Sequence, residues 1–240
     1  MVRTGVEYAT DQITVYKFCP YNCKYCWAWN TMLYSYRIRR GKYSPIEEAR
    51  KYLRSRKRRT IVVSFTSDPY PPIEKENKLT RKVLEILSKA KKHRILILTK
   101  NPELALRDLD LMKAHGDMWL GTTLTSTHPN IYEPNAPTPI QRMNALYKAY
   151  KHGVKTWISL EPIIPDITYP ETIIMLTYAF TDFYVLGALT YNRELLDISR
   201  HRLKKWYNKH VPRAIKFLEL KHKKYHIKNN LKKYLNHSNK

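Results

Sequence analysis

Cys19, Cys23 and Cys26 are the only cysteines in a chain of 240 residues, and all three fall in the stretch Cys19-Pro-Tyr-Asn-Cys-Lys-Tyr-Cys26. An odd number of thiols crowded into one loop does not build the even-count disulfide framework of a small secreted domain. A structural zinc site usually takes four protein ligands, and the nearest histidine in sequence is His93. Thiolates at this spacing can instead cap three irons of a 4Fe-4S cluster, a group commonly held by cysteine. The fourth iron then carries no protein ligand and can bind a small molecule. That open position points to an enzyme. The competing reading is a zinc held by the three thiolates, a poor Lewis acid, in a protein that binds nucleic acid without catalysis.

The spacing Cys19-x3-Cys23-x2-Cys26, with the aromatic Tyr25 just before the third cysteine, resembles the signature of the radical S-adenosylmethionine (SAM) superfamily. The resemblance implies a 4Fe-4S cluster and SAM as cofactors. The amino and carboxylate groups of SAM would chelate the open iron, and an electron from the cluster would cleave SAM to methionine and a 5′-deoxyadenosyl radical. Such cofactors carry the hard chemistry while the protein binds and orients them. It also implies an electron donor such as flavodoxin or ferredoxin, and it sets Tyr25 near the adenine. The plainer reading of Tyr25 is a packing residue of the loop, and the two are compatible.

The elements that must position this loop alternate along the chain. Residues 12–18 read as a strand running straight into the cysteines. Ser44, Pro45 and Glu47 read as the cap, first turn and third position of a helix. Further strands are expected at 60–65, 94–99, 118–124, 154–160 and 183–189, with helices at 78–91, 102–115, 138–152 and 170–180 between them. Near-continuous apolar strands separated by helices indicate a parallel sheet covered on both faces. Alternation alone fits an open doubly wound sheet or a barrel. The resemblance selects α/β with a partial (β/α)6 TIM-like barrel over residues 1–192. Residues 193–240 then form a basic helical C-terminal extension, with short helices expected at 203–207, 211–220 and 227–235.

A parallel β/α barrel carries its chemistry at the C-terminal ends of its strands. Ser67 and Asp68 follow the second strand and match the superfamily's amino-binding motif; Asp68 reads otherwise as a turn residue accepting from backbone amides. Lys100, after the third strand, reads as a partner for the SAM carboxylate or as a solvated lysine. Thr123 ends the fourth strand and reads as a ribose or methionine contact. Glu161 ends the fifth and reads as a contact to ribose or substrate. Arg142, on the preceding helix, reads as a surface residue.

The elements 64–74, 79–81, 98–100, 107–111, 133–137 and 161–165 resemble the spore photoproduct lyase-related branch of the superfamily. The named enzyme of that branch repairs a thymine dimer in DNA and uses a cysteine to return a hydrogen atom. Here no cysteine is left once Cys19, Cys23 and Cys26 hold iron. Charge gives independent evidence on the substrate. The formal net charge is +24, from 44 basic and 20 acidic residues. Residues 193–240 hold 15 basic against 3 acidic residues, and a second basic run extends from Arg50 to Arg59. Such patches neutralise phosphates and give salt-dependent nucleic-acid binding, to DNA or to RNA such as tRNA or rRNA. No apolar run of about 20 residues suits a membrane span, and the polar N-terminus lacks a signal peptide's apolar stretch. An oxygen-sensitive cluster fits a reducing compartment, so a cytoplasmic location is expected.

Overall fold

The computed structural model describes residues 1–30, 43–64, 66–191 and 196–235. Eight strands form one sheet in chain order: β1 (Val2–Arg3), β2 (Asp11–Ile13), β3 (Thr60–Val63), β4 (Arg94–Thr99), β5 (Met118–Thr123), β6 (Thr156–Ile163), β7 (Phe183–Ala188) and β8 (Lys224–Ile227). The short β1 pairs antiparallel with β2, Val2 opposite Gln12. Every later pairing is parallel. The sheet curls into a partial barrel with helices outside, as expected from the alternation of strands and helices.

The local signals account for the elements they foretold. Ser44 caps the helix Pro45–Leu53, its side chain accepting from the Glu47 amide. Thr138 and Gln141 form a reciprocal capping box at the start of the helix Pro139–Lys151, which satisfies donors the first turn leaves orphaned. The expected helix at 102–115 is broken into Pro102–Ala105, a 3-10 turn and Leu109–His115. Gly116 ends it at φ 81, a left-handed conformation that glycine adopts without a Cβ clash.

Residues beyond 196 depart from expectation. The two helices read at 203–207 and 211–220 are one helix, Arg200–Leu220, with Pro212 inside it. The segment read as a helix at 227–235 begins as β8, which extends the barrel sheet by pairing with β7. A short run of tyrosine, histidine and isoleucine among lysines gave too weak an alternation to announce it. The boundary drawn at 192/193, and Phe65 as a strand end, lie outside the described residues.

Two cores hold the barrel. The larger lies between sheet and helices and includes Ile61, Ile95, Ile97, Leu120, Ile158 and Leu186. The smaller is formed by Leu96, Trp119, Trp157 and Val185, with Tyr8, Leu98 and Phe183 against it. Strand alternation sets these apart: Leu96, Leu98 and Lys100 share one face of the chain through β4, and Trp157, Ser159 and Glu161 share one face of β6. Gly121 exists for this inner layer, because a Cβ there would sit 2.3 Å from the Trp157 indole nitrogen. No helix among the described residues is long and apolar enough to cross a membrane.

Candidate active site

The segments leaving the strands line a cavity of about 540 Å³, within the ~300–1,000 Å³ usual for small-molecule sites. All the residues singled out from the sequence as cofactor or metal contacts lie on its wall. The cysteine loop forms one side. Asn22 sits at its apex with φ 48, a conformation asparagine tolerates better than most residues. The Cys26 amide donates to the Cys23 carbonyl at 3.0 Å, and the Lys24 amide to the Tyr132 carbonyl at 3.0 Å. The Tyr21 hydroxyl donates to the Tyr70 carbonyl at 2.9 Å, and Ser67 donates to the Tyr16 carbonyl at 2.6 Å. The loop is therefore tied to the segments after β3 and β5 before any ligand enters.

The three thiols are free. Burial pushes Cys19 up to about 11, with the Asp68 charge adding to the rise. Burial likewise raises Cys23. Such thiols stay protonated unless a metal displaces the proton, as coordination does outright. Among the described residues no three His, Cys, Asp or Glu side chains converge as one ion requires. Three thiols spread along one cavity wall fit a multinuclear cluster gripped at separate corners better than a single zinc.

Asp68 is buried, and its carboxylate is largely occupied. Its Oδ1 accepts from the Tyr70 amide at 2.8 Å and the Thr99 hydroxyl at 2.6 Å. Its Oδ2 accepts from the Lys100 amide at 2.7 Å. Burial raises its pKa, against the opposing effect of these three donors. Asp68 thus clamps the end of β4 to the loop after β3, which is the backbone-accepting arrangement weighed from the sequence.

Lys100 is not a solvated lysine. Its ammonium lies 5.5 Å from the Tyr25 ring centre and 3.8 Å from Glu133 Oε1. Burial disfavours its charge, but Cys23, Glu133 and Asp68 together outweigh burial and raise its pKa. The Tyr25 hydroxyl donates to Glu133, and Arg142 closes the group with its Nη2 2.6 Å from Glu133 Oε2. The surface reading of Arg142 is corrected here: its side chain is 1% exposed. It also donates to the Pro137 and Thr123 carbonyls at 2.8 and 2.9 Å. The helix cannot present this side chain to water, because Glu133 sits directly beneath it as a buried counter-charge.

On the opposite wall, Glu161 accepts from Ser159 at 2.9 Å and Tyr8 at 3.3 Å. It pairs with Lys228 at 2.6 Å. A Cβ on Gly187 would lie 2.8 Å from Glu161 Cγ, so that glycine makes room for the carboxylate. Lys228 and Asn230 reach the cavity from beyond β8, and Glu7 accepts from the Asn229 amide at 3.0 Å. Sequence reasoning missed Tyr8, Glu133 and Lys228. The only usable signal was Gly187 in an otherwise apolar strand, a mark of close approach.

The radical SAM superfamily profile matches residues 13–176. The chain belongs to the radical SAM superfamily. It is a radical SAM enzyme, and its cofactors are a 4Fe-4S cluster and SAM. An uncharacterized protein of Methanocaldococcus jannaschii is 37% identical over 186 residues, covering 75% of this chain and 69% of that protein. Among solved structures, spore photoproduct lyase with bound SAM and a dinucleoside spore photoproduct aligns at TM-score 0.64 and 15% identity, over 90% of this chain and 75% of that one. SuiB of Streptococcus suis bound to SAM aligns at TM-score 0.59 and 10% identity, over 90% of this chain and 45% of that one. At such identities the structures speak for the radical SAM fold alone.

Proposed function

We propose that this radical SAM enzyme acts on nucleic acid, as a member of the spore photoproduct lyase-related branch that repairs a lesion or modifies a base in DNA. The observation that carries this reading is the charge of the C-terminal segment. Along the helix Arg200–Leu220, Lys205, Lys209, Arg213 and Lys216 are exposed at spacings of three and four residues, so they share one face. A phosphate backbone held on that face releases counterions. A base buried in a duplex would be extruded into the cavity to react.

In this reading Cys19, Cys23 and Cys26 hold the cluster, which when bound supplies the electron that cleaves SAM. Ser67, with the turn that Asp68 fixes, meets the amino end of SAM. Lys100 pairs with its carboxylate as a point charge, oriented by the Tyr25 ring and Glu133. Thr123 and Glu161 contact the ribose. Tyr8, Glu161 and Lys228 shield the inner layer around Trp157 and keep water from the floor of the cavity.

The test is anaerobic reconstitution with iron and sulfide, then dithionite and SAM, with 5′-deoxyadenosine as the readout. Turnover should rise with irradiated DNA. A rise with tRNA alone assigns the enzyme to RNA instead. Cys23→Ala should abolish cleavage while an oligonucleotide still binds. A colourless protein without iron overturns the assignment of the cysteines.

A further inference from the structure

We propose that the outer face of the cysteine loop is the docking surface for a small acidic one-electron carrier protein. This inference rests on the proposed reading of the three cysteines as cluster ligands. Lys17, Phe18 and Lys24 flank Cys19 and Cys23 in sequence, and all three are exposed. The Phe18 ring is 62% exposed, unusual for a large apolar side chain lodged between lysines. Tyr132 and Asn135 anchor this loop through the Lys24 amide at 3.0 Å and the Pro20 carbonyl at 3.2 Å. Beside that anchor Ile131 is 67% exposed.

The face is depleted of acid. Residues 14–30 contain no Asp or Glu, and Glu133 on the neighbouring segment is buried and paired with Arg142. An apolar centre with a cationic rim suits an acidic partner whose own redox group lies near its surface, since complementary charge steers encounter and sets orientation. Nucleic acid fits less well here. The dense cationic stripe lies on the helix Arg200–Leu220, and Phe18 stands beside the thiols and not along that stripe. At this contact the carrier loses one electron and the metal centre gains it, and no bond or proton is exchanged.

The experiment compares two reductants on the reconstituted enzyme, reduced flavodoxin and dithionite, with 5′-deoxyadenosine formation as readout. The double variant Lys17→Glu, Lys24→Glu should lower the flavodoxin-driven rate at low salt by about tenfold, the lower end of electrostatic steering. The dithionite-driven rate should stay within about twofold, because a small reductant needs no docking face. The wild-type flavodoxin rate should fall with added salt as surface charges are screened. Phe18→Ala should lower the flavodoxin-driven rate and leave its salt dependence in place. The ratio of the two rates cancels any loss of cluster. An unchanged ratio overturns the proposal, as does a variant that loses oligonucleotide binding while keeping that ratio. A wild-type enzyme inert with dithionite would instead sink the reading of the cysteines.

Discussion

Replacing Arg142 by Met removes one charge from a buried pair and leaves Glu133 behind. The methionine fills much of the arginine's apolar volume, so the loss is mainly electrostatic. Arg142 is 1% and Glu133 3% exposed at the side chain. Breaking a pair so placed costs about 3–5 kcal/mol. For a domain of this size each kcal/mol moves the midpoint by about 2–4 °C, so thermal unfolding should fall by about 6–20 °C. Part of the loss comes from the carbonyls of Pro137 and Thr123, which lose the donors 2.8 and 2.9 Å away. The rest depends on pH. Burial opposes the charge of Glu133, but Lys100 and Arg142 together hold its pKa below the ordinary glutamate value. In the wild type this contribution is present above the unfolded glutamate pKa and fades as pH falls through the lowered folded one. In the variant, burial is opposed by Lys100 alone, and the folded pKa rises. The deficit between variant and wild type is then full near neutrality and shrinks on acidification. Far-UV circular dichroism melts of the reconstituted enzyme from neutral to mildly acidic pH give this directly. A shift under about 2 °C, or a deficit that widens in acid, would falsify the claim that Arg142 neutralises Glu133.

Two glycine substitutions separate a rigid neighbour from a yielding one. Gly121→Ala sets a methyl group 2.3–2.6 Å from the buried Trp157 indole, and overpacking of a tight core costs about 1–3 kcal/mol or more; a drop of several degrees in the melting midpoint is expected. Gly187→Ala meets the Glu161 side chain at 2.8 Å, which can swing aside. Its signature should be a weakened affinity for SAM by calorimetry, with a smaller thermal loss. Charge reversal at Lys205, Lys209, Arg213 and Lys216 tests nucleic-acid binding without disturbing the sheet. If each contacts one phosphate of a duplex, the slope of log K against log salt should become shallower by roughly 3–4. An unchanged slope in a fluorescence anisotropy titration would remove that face from the interface. Deleting everything after residue 192 is the wrong test, because it strips β8 from β7 and exposes the sheet edge.

Much of this site was legible because its residues sit where two simple periodicities put them. The cysteine spacing is local, so it needs no tertiary knowledge. The strands β4, β5 and β6 announce themselves as apolar runs, and whatever polar residue follows such a run in a parallel barrel faces the mouth. That rule found Lys100, Thr123 and Glu161. It could not choose among the four hydroxyls at 122, 123, 125 and 126; the structure shows Thr122 donating to the Thr99 carbonyl at 2.7 Å while Thr123 lines the cavity. Arg142 was misread for a different reason. On a helix at the edge of a barrel, an arginine looks solvated unless its counter-charge is known, and Glu133 comes from a loop with no periodicity.

The ends of the chain were least legible, and they close the barrel. Glu7 accepts from the Asn229 amide and lies 3.1 Å from His226 Nε2, bringing an N-terminal residue against a segment more than 200 positions later. Tyr8 packs edge-on against Trp157 at 5.7 Å and against His226 at 6.1 Å. Neither contact has a sequence signature, since each couples one unremarkable residue to another across the whole chain. Yet they bear directly on the chemistry. A partial barrel has two unjoined edges, and water entering between them would reach the floor of the cavity. The seam formed by Glu7, Tyr8 and Lys228 covers that gap from the two termini. The basic segment therefore has a second task beside any it performs for a phosphate backbone: without β8 there is no Lys228 opposite Glu161, and the cavity that holds the three cysteines loses its far wall.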